Sequence, residues 1–416
     1  MQPANRSCAE PSRLTIETML GIDDVAPIAA AWRALEQQQN GAVFFQSHDW
    51  CLYLWRTRAA VASDVSVEHR ILVVRDDGRI VAIWPLAIRT SASGRFAQDL
   101  GEPFGQYSDI LIAGDCDASA VLDIAFAELS RWRIDGLVLR KVRADSPLCA
   151  RLDRIGTAIG TIEHAPAIAL GEPGGHDAYR RSLTAKTRKN LRNYRNRLGR
   201  EGRIVHDVIT APAERAGAIE RCFDGRTAWL AAGGLSSTAF ADAAFTAVVD
   251  GLTHGLRGAP GVLAMRLGLE PSDSTAPVDL SLHWGFEHQG RYYAFMAWKN
   301  PAYDDFSPGR LHLEDVVATA AQRGITTVDL LVPAMPYKTS VANATIEVRA
   351  YGVPFTARGR LVIKGWHGLL RPRLKVALLA MPPSARRALF DGPRVLRSKL
   401  DRWIGLRLGK QSPAQS

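Results

Sequence analysis

Apolar residues at helical spacing begin the chain's readable pattern. Ile28, Ala31, Trp32 and Leu35 recur at three- and four-residue steps between Asp23 and Gln39, and Asn40-Gly41 closes the run, which predicts a helix. A second helix is predicted from Ser47, carrying Trp50, Leu52, Tyr53 and Trp55. Two runs rich in β-branched residues, Arg70–Arg75 and Arg79–Arg89, flank Asp76-Asp77-Gly78. That is a hairpin signal, because Asp-Gly accepts the positive φ of a tight turn. The pattern then predicts a helix over Asp117–Arg131, a strand over Gly136–Val142 and a helix over Ser146–Ile159.

The later part of the chain repeats this order. A long basic helix is predicted over Asp177–Gly202, a strand over Ile204–Ile209, and helices over Pro212–Ala231 and Thr238–His254. Strands follow at Gly261–Leu269, Asp279–Glu287 and Arg291–Trp298, then a helix over Gly309–Arg323 and strands at Thr326–Val332 and Thr345–Ala350. Glu270–Val278 reads as a polar surface loop. Helix, helix, meander, helix, strand occurs twice, without a residue-level repeat. The expected architecture is α/β with mixed (α+β) sheets, in two similar units, 1–172 and 173–357. A basic helical tail follows over 358–416. In that tail Trp366, Leu369, Leu370, Leu378, Leu379, Leu389, Leu396 and Trp403 alternate with cations, and Pro382-Pro383 and Pro393 break it into short helices. It reads either as docked helices with solvated basic faces or as an amphipathic surface-binding segment.

Composition alters this picture at a few points. A chain of 416 residues, 47% hydrophobic and 23% charged, can bury a sizeable core. The net charge of +10 is uneven: 358–416 carries 14 Lys and Arg against Asp391 and Asp401, and 179–203 carries 10 against Glu201. The remaining 28 basic and 39 acidic residues make an acidic body, so nucleic-acid binding is not expected. The polar stretch Met1–Leu14 lacks a signal-peptide core, and no long uncharged apolar run exists, so a cytoplasmic chain is expected, with the tail as the one route to the membrane's inner face. Cys8, Cys51, Cys116, Cys149 and Cys222 are scattered, with neither disulfide nor zinc spacing, and no metal is expected.

The chemistry-bearing stretch runs from Tyr292 to Lys338. An apolar strand enters the loop Lys299–Phe306, and Ser307-Pro308-Gly309-Arg310 opens a helix. Ser307 suits an N-cap and Pro308 the first helical position. Gly309 lets a ligand approach the backbone, and Arg310 adds a positive charge. The helix start is therefore a candidate pyrophosphate anchor, though the same residues also make an ordinary cap. HExxH, GxSxG, Walker A and GxGxxG patterns are absent.

Six segments carry a family resemblance, which spans Phe44 to Lys338. They are FFQSHDW (Phe44–Trp50), LVVRDDGRIVAIWPLAIR (Leu72–Arg89), GQYSDILI (Gly105–Ile112), SLTAKTRKNLRNYRNRLGREG (Ser182–Gly202), GRYYAFMAWKNPAYDDFSPGRLHLEDVV (Gly290–Val317) and VDLLVPAMPYK (Val328–Lys338). In this order they resemble the CelD-like acetyltransferases of the GNAT superfamily, associated with cellulose and exopolysaccharide biosynthesis. One departure stands out. The family's glycine-rich DLG-x-G is replaced here by Asp329-Leu330-Leu331-Val332-Pro333.

The resemblance implies two tandem GNAT-like domains and direct transfer from acetyl-CoA, or another acyl-CoA, to an amine or a sugar hydroxyl. Phe295, Met296, Ala297 and Trp298 are then expected to pair with pantetheine. Ser307, Gly309, Arg310 and Leu311 are expected to anchor the pyrophosphate. Candidate catalytic groups are Asp329 as base, His283 on a strand facing the same cleft, and Tyr337 as proton donor to the thiolate or as a stacking ring. Lys338 would bind phosphate or pair with Asp329. Tyr107 and Asp109 would line an acceptor pocket, and Trp229, in RTAWLAAGG (Arg226–Gly234), is expected to pack as core and to border that pocket. Arg188, Arg192 and Arg195 share a helical face and would meet an anionic substrate, CoA phosphates or RNA, unless that face is only solvated and paired with the acidic body. The expected partners are a small-molecule or saccharide acceptor and, through the tail, a membrane or polysaccharide synthase. Two other readings remain: a FemAB-like aminoacyl-tRNA-dependent transferase, which shares the doubled architecture, and a non-catalytic accessory protein of polysaccharide synthesis.

Overall fold

The computed structural model describes residues 14–381, except 40, 42, 62–65, 172–174, 233–236, 238, 241, 256–257 and 273–275. The first part of the chain gives β1 (Leu14–Met19), a 3₁₀ turn Asp23–Ile28 leading into α1 (Ala29–Gln37), and α2 (His48–Ala59). The Ser47 hydroxyl caps α2, accepting from the Trp50 amide. A meander follows: β2 (Ser66–Asp76), β3 (Arg79–Ser91) and β4 (Gly94–Asp99). Asp77 and Gly78 take φ of 46° and 85°, the turn their sequence predicts. Then come β5 (Leu111–Ile112), α3 (Ala118–Arg131), β6 (Gly136–Arg143), α4 (Pro147–Ile155), β7 (Thr157–Ala158) and β8 (Glu163–Ala169).

The later part gives α5 (Gly175–Ser182), α6 (Ala185–Leu198), β9 (Gly202–Val208), α7 (Pro212–Ala232) and α8 (Ala243–His254). Its meander is β10 (Leu263–Pro271), β11 (Val278–His288) and β12 (Arg291–Lys299). After it come a 3₁₀ turn Pro301–Phe306, α9 (Pro308–Gln322), β13 (Thr327–Asp329), α10 (Pro336–Thr339) and β14 (Ala344–Pro354). The described tail consists of α11 (Ala357–Arg360), a π-wound stretch Leu361–Leu370 and α12 (Arg371–Ala380).

The structure corrects the pattern in several places. The long basic helix is two helices: the chain breaks at Leu183, and the Thr184 hydroxyl caps α6 by accepting from the Thr187 amide. The strand expected over Thr326–Val332 stops at Asp329, because Leu331 turns to a φ of 58°. The helix expected to reach Ile159 stops at Ile155, and the one expected from Thr238 starts at Ala243 with Asp242 as its cap. β1, β4 and β8 are additional strands. Leu389, Leu396, Trp403 and the prolines of the distal tail lie outside the described residues, as does Cys8.

All fourteen described strands join one sheet. Its main path is β1-β2-β3-β4-β6-β14-β8-β13-β12-β11-β10-β9, with β5 on β3 and β7 on β14. This order reads the same from either end. β1-β2-β3-β4-β6 matches β9-β10-β11-β12-β13, and both runs are antiparallel until a parallel last step, β4–β6 and β12–β13. The sixth strand of each unit is exchanged. β14 completes the first unit by pairing with β6, β8 completes the second by pairing with β13, and the two pair with each other at the centre. The sheet therefore runs unbroken across the position expected to divide the units.

The main apolar core draws on both units, from Trp32, Trp50 and Trp84 to Trp284, Phe286 and Tyr293. A second core lies beneath α9, built on Leu311, Val316, Val317, Tyr292 and Val328. No described helix is long and apolar enough to cross a membrane. Cys51, Cys116, Cys149 and Cys222 are free thiols.

Candidate functional site

The site starts from a local irregularity in β12. Trp284 pairs with Met296 and Phe286 with Tyr293, so Gly285 alone stands opposite Ala294 and Phe295. Such a bulge bends a strand and re-aims its groups. Gly285 is required there, since a Cβ would sit 1.9 Å from the Tyr293 carbonyl oxygen. The bend has a consequence on the other edge of β12. β13 pairs with it in parallel only from Arg291 to Tyr293. Beyond Tyr293 the two strands part, and the edge from Ala294 to Lys299 has no β13 partner. Phe295, Met296, Ala297 and Trp298, the residues expected to hold pantetheine, are the ones left on this open edge. A polar backbone edge of this kind needs hydrogen-bond partners from water or a ligand.

The strand leads into α9, whose start differs in detail from expectation. Ser307 adopts left-handed φ and ψ of 50° and 51°, and its hydroxyl caps nothing. Its carbonyl instead accepts from the Arg310 and Leu311 amides, so Leu311 is no free donor, and its side chain is buried in the core below. The Gly309 amide has no protein partner among the described residues, and nothing lies within 4 Å of where a Gly309 Cβ would stand. The Arg310 guanidinium is half-buried and has no hydrogen-bond or ion-pair partner among the described residues. The first turn of α9 thus offers one amide, one cation and open space.

α7 walls the other side. Trp298 packs on Gly225, where a Cβ would approach to 2.2 Å of the indole. One residue on, Arg226 lies over the Trp229 ring at 4.5 Å, a cation–π contact. Trp229 is half exposed, not packed in a core as expected. Tyr337 is also exposed, at 41%, and burial of its hydroxyl end raises its pKa. Lys338 donates to the carbonyls of Leu330 and Leu331, at 2.7 and 3.1 Å. Burial, reinforced by Arg226, lowers its pKa to about 8.

Asp329 is the centre of a buried ionic node, not a partner of Lys338. It is fully buried at the end of β13. Its carboxylate accepts from the Tyr107 hydroxyl at 2.8 Å, the Leu331 amide at 3.0 Å, and the Arg143 and Arg291 guanidiniums at 3.4 Å each. Four donors, two of them cationic, occupy its two oxygens, so neither is presented to a substrate. Tyr107 is equally buried, so it tethers the two units here and does not line a pocket. Asp109 accepts from Ser146 and from the Ile110 amide, and burial raises its carboxyl to about 7.

His283 is buried beneath α9, with Nδ1 3.0 Å from the Tyr292 hydroxyl. Burial and the Lys338 charge bring its pKa to about 4. It is neutral at pH 7 and a weak base. The basic face of α6 is divided by task. Arg188 donates to the Arg181 and Leu183 carbonyls and closes the end of α5. Arg195 pairs with Glu314 and Asp315 of α9, and Arg192 is exposed. Arg197, not singled out in the sequence, donates to the Asp305 carbonyl and covers the Phe306 ring, bracing the entry to α9. Arg143, Arg226 and Arg291 were missed as well. Arg226 had a local signal in its three-residue spacing from Trp229, whereas Arg143 had none. Among the described residues no cluster fits a metal ion.

Comparison with known proteins defines the class. Residues 185–339, which include the open edge of β12 and the start of α9, match the acetyltransferase (GNAT) domain family. No curated protein matches the chain. Among solved structures, FemX superposes over 83% of this chain and 99% of its own, with a TM-score of 0.52 and 11% identity, a likeness of fold. A tandem GNAT protein from the clavulanic acid biosynthesis pathway covers 83% and 99%, at 14% identity and a TM-score of 0.44. L-PGS from Bacillus licheniformis covers 83% and 95%, at 11% identity and a TM-score of 0.45. The chain therefore carries a GNAT acetyltransferase domain within a mixed α/β fold.

Proposed function

We propose that the protein is an acyltransferase that uses acetyl-CoA or another acyl-CoA, with its cofactor site where β12 parts from β13. The observation that carries this reading is the unpaired edge Ala294–Lys299, running directly into a helix start that offers Gly309 and an unpartnered Arg310. Alternate amides and carbonyls of Phe295 to Trp298 suit an extended amide-containing chain, and the Gly309 amide, Arg310 and the dipole of α9 suit its phosphates. Trp229 and Tyr337, both exposed beside this edge, provide flat surfaces for the rest of the cofactor. When bound, acyl-CoA supplies a thioester already activated for attack.

The chain's own residues then have separate tasks. The β12 edge fixes the acyl carbonyl in line, which lowers the entropic cost of attack. Lys338, with its pKa lowered to about 8 and its ammonium held by two carbonyls, supplies a proton to the departing thiolate, and the proton lost by the attacking amine or hydroxyl restores its charge. Asp329 acts as a positioning residue: it fixes Arg143, Arg291 and Tyr107 and thereby the mouth of the parting. The acceptor is an amine or a sugar hydroxyl. The resemblance to CelD-like proteins favours a saccharide.

Isothermal titration with acetyl-CoA tests the reading. Saturable binding is expected, weakened at least tenfold in Gly309→Trp. No binding of acetyl-CoA, with steeply salt-dependent RNA binding in its place, would instead support aminoacyl-tRNA-dependent transfer.

A further inference from the structure

The described tail is a firmly seated element with an unusual outer surface. The Thr356 hydroxyl accepts from the Gly359 amide and donates to Asp135, and Arg358 donates to the Ala92 and Ser93 carbonyls. Ile363 is fully buried in a notch made by two glycines. A Cβ at Gly136 or Gly352 would stand 3.0 or 2.4 Å from the Ile363 side chain. Ile363 and Leu378 turn inward. The apolar residues that do not are Leu361, Leu369, Leu370, Leu374, Val376 and Met381, exposed by 74, 56, 46, 40, 67 and 39%. Six exposed large apolar side chains within 21 residues is a concentration of the kind that marks an interaction surface.

The charges carried by this segment are all of one sign. From Ala357 to Met381 the chain has Arg358, Arg360, Lys364, Arg371, Arg373 and Lys375, and no acidic residue. The sequence beyond continues in the same manner, with eight Lys and Arg against Asp391 and Asp401. Aliphatic side chains bordered by cations match a surface that is apolar below and anionic above, which is the interface of a negatively charged bilayer. Nucleic acid matches less well, since it would use aromatic platforms or cations without aliphatic neighbours. A second copy of the same patch would set exposed cations against cations, Arg360, Lys364 and Arg373 on each side.

We propose that the outer face of Leu361–Met381 is a docking surface for anionic lipid, holding the protein flat against a membrane while the sheet remains outside it. Ile363 and Arg358 set the angle of the body relative to the bilayer. The aliphatic residues enter the acyl boundary, and the exposed Arg360, Lys364 and Arg373 meet the headgroups. This proposal is independent of the acyl-CoA reading.

The test is partition of the full chain onto vesicles of phosphatidylcholine with about one-third phosphatidylglycerol, a fraction in the anionic range where polybasic segments bind. Pure phosphatidylcholine vesicles serve as the reference. The proposal expects at least tenfold tighter binding to the anionic vesicles. It also expects at least a tenfold loss in Leu361→Glu/Leu369→Glu, with unchanged circular dichroism and Tm, because both side chains point outward. Three results would overturn it: equal partition onto both vesicle types, full binding by the double variant, or no vesicle binding by a protein whose sedimentation shows a dimer that the double variant dissolves.

Discussion

Each unit of this protein contains a place where two parallel strands part, and the two places have opposite contents. In the first unit β4 and β6 pair only at Phe96–Gly136 and Ala97–Leu137. Beyond that point the chain's own segment 100–110 meets β6: the Ser108 amide donates to the Lys141 carbonyl, and the Lys141 ammonium donates to the Gly105 carbonyl. Phe104 and Tyr107 from this segment are buried, and Tyr107 reaches across to Asp329. In the second unit the equivalent loop, Asn300–Ser307, folds away as a 3₁₀ turn under Arg197, and the β12 edge stays open. The same topology therefore produces one plugged and one open parting. The plugged unit supports the open one, because its plug supplies the hydroxyl that holds Asp329.

The strongest way to break this arrangement is to remove the node that joins the units. Asp329→Ala leaves two guanidiniums and a phenol facing an empty site and should cost about 3–5 kcal/mol in urea unfolding. A pH test addresses the first unit. Glu36 is buried, accepts from the His48 amide, and is raised by burial to about 7. Its folded pKa lies above its unfolded value of 4.5, so its contribution is complete below pH 4.5 and is lost as pH rises through 7. Glu36→Gln keeps the acceptor without the charge. It should therefore gain roughly 2 kcal/mol relative to the parent between pH 4 and pH 8, measured by chemical denaturation at each pH.

The two partings should also respond differently to added bulk. Gly101 lies in the plug, where a Cβ would touch Asp99, Gly105 and Trp50. Gly101→Val should cost about 1–3 kcal/mol of stability and leave the acetyl-CoA affinity of the folded protein unchanged. Gly309→Trp should do the reverse, holding Tm and losing about 1.4 kcal/mol or more of binding. The smallest effect is expected for Arg310→Ala: about three- to tenfold weaker acetyl-CoA binding, with a shallower salt dependence in titrations.

Features set by local chemistry were legible in the sequence. Asp77-Gly78 specified the β2–β3 turn, Ser47 the start of α2, and Pro308-Gly309 the start of α9. What depended on distant partners was not legible. β8 contains Pro166 and lacks alternation, and it is a strand because β13 and β14 flank it. The run of cations in α5 and α6 concealed the break at Leu183-Thr184, since solvated charges carry no helical period. Asp329 was visible as a candidate, but its chemistry depends on Arg143, 186 residues away. Trp229 was expected in the core, and Arg226 instead covers it at the surface.

Amide hydrogen exchange with and without acetyl-CoA tests the central claim most directly. Amides of Ala294–Lys299 that face away from β11 should exchange quickly in the free protein and slow at least tenfold when the ligand is present, while Gly94–Asp109 stays unchanged. Protection that appears in Gly94–Asp109 instead, or an Ala294–Lys299 edge indifferent to saturating ligand, would contradict the assignment of the open parting as the cofactor site.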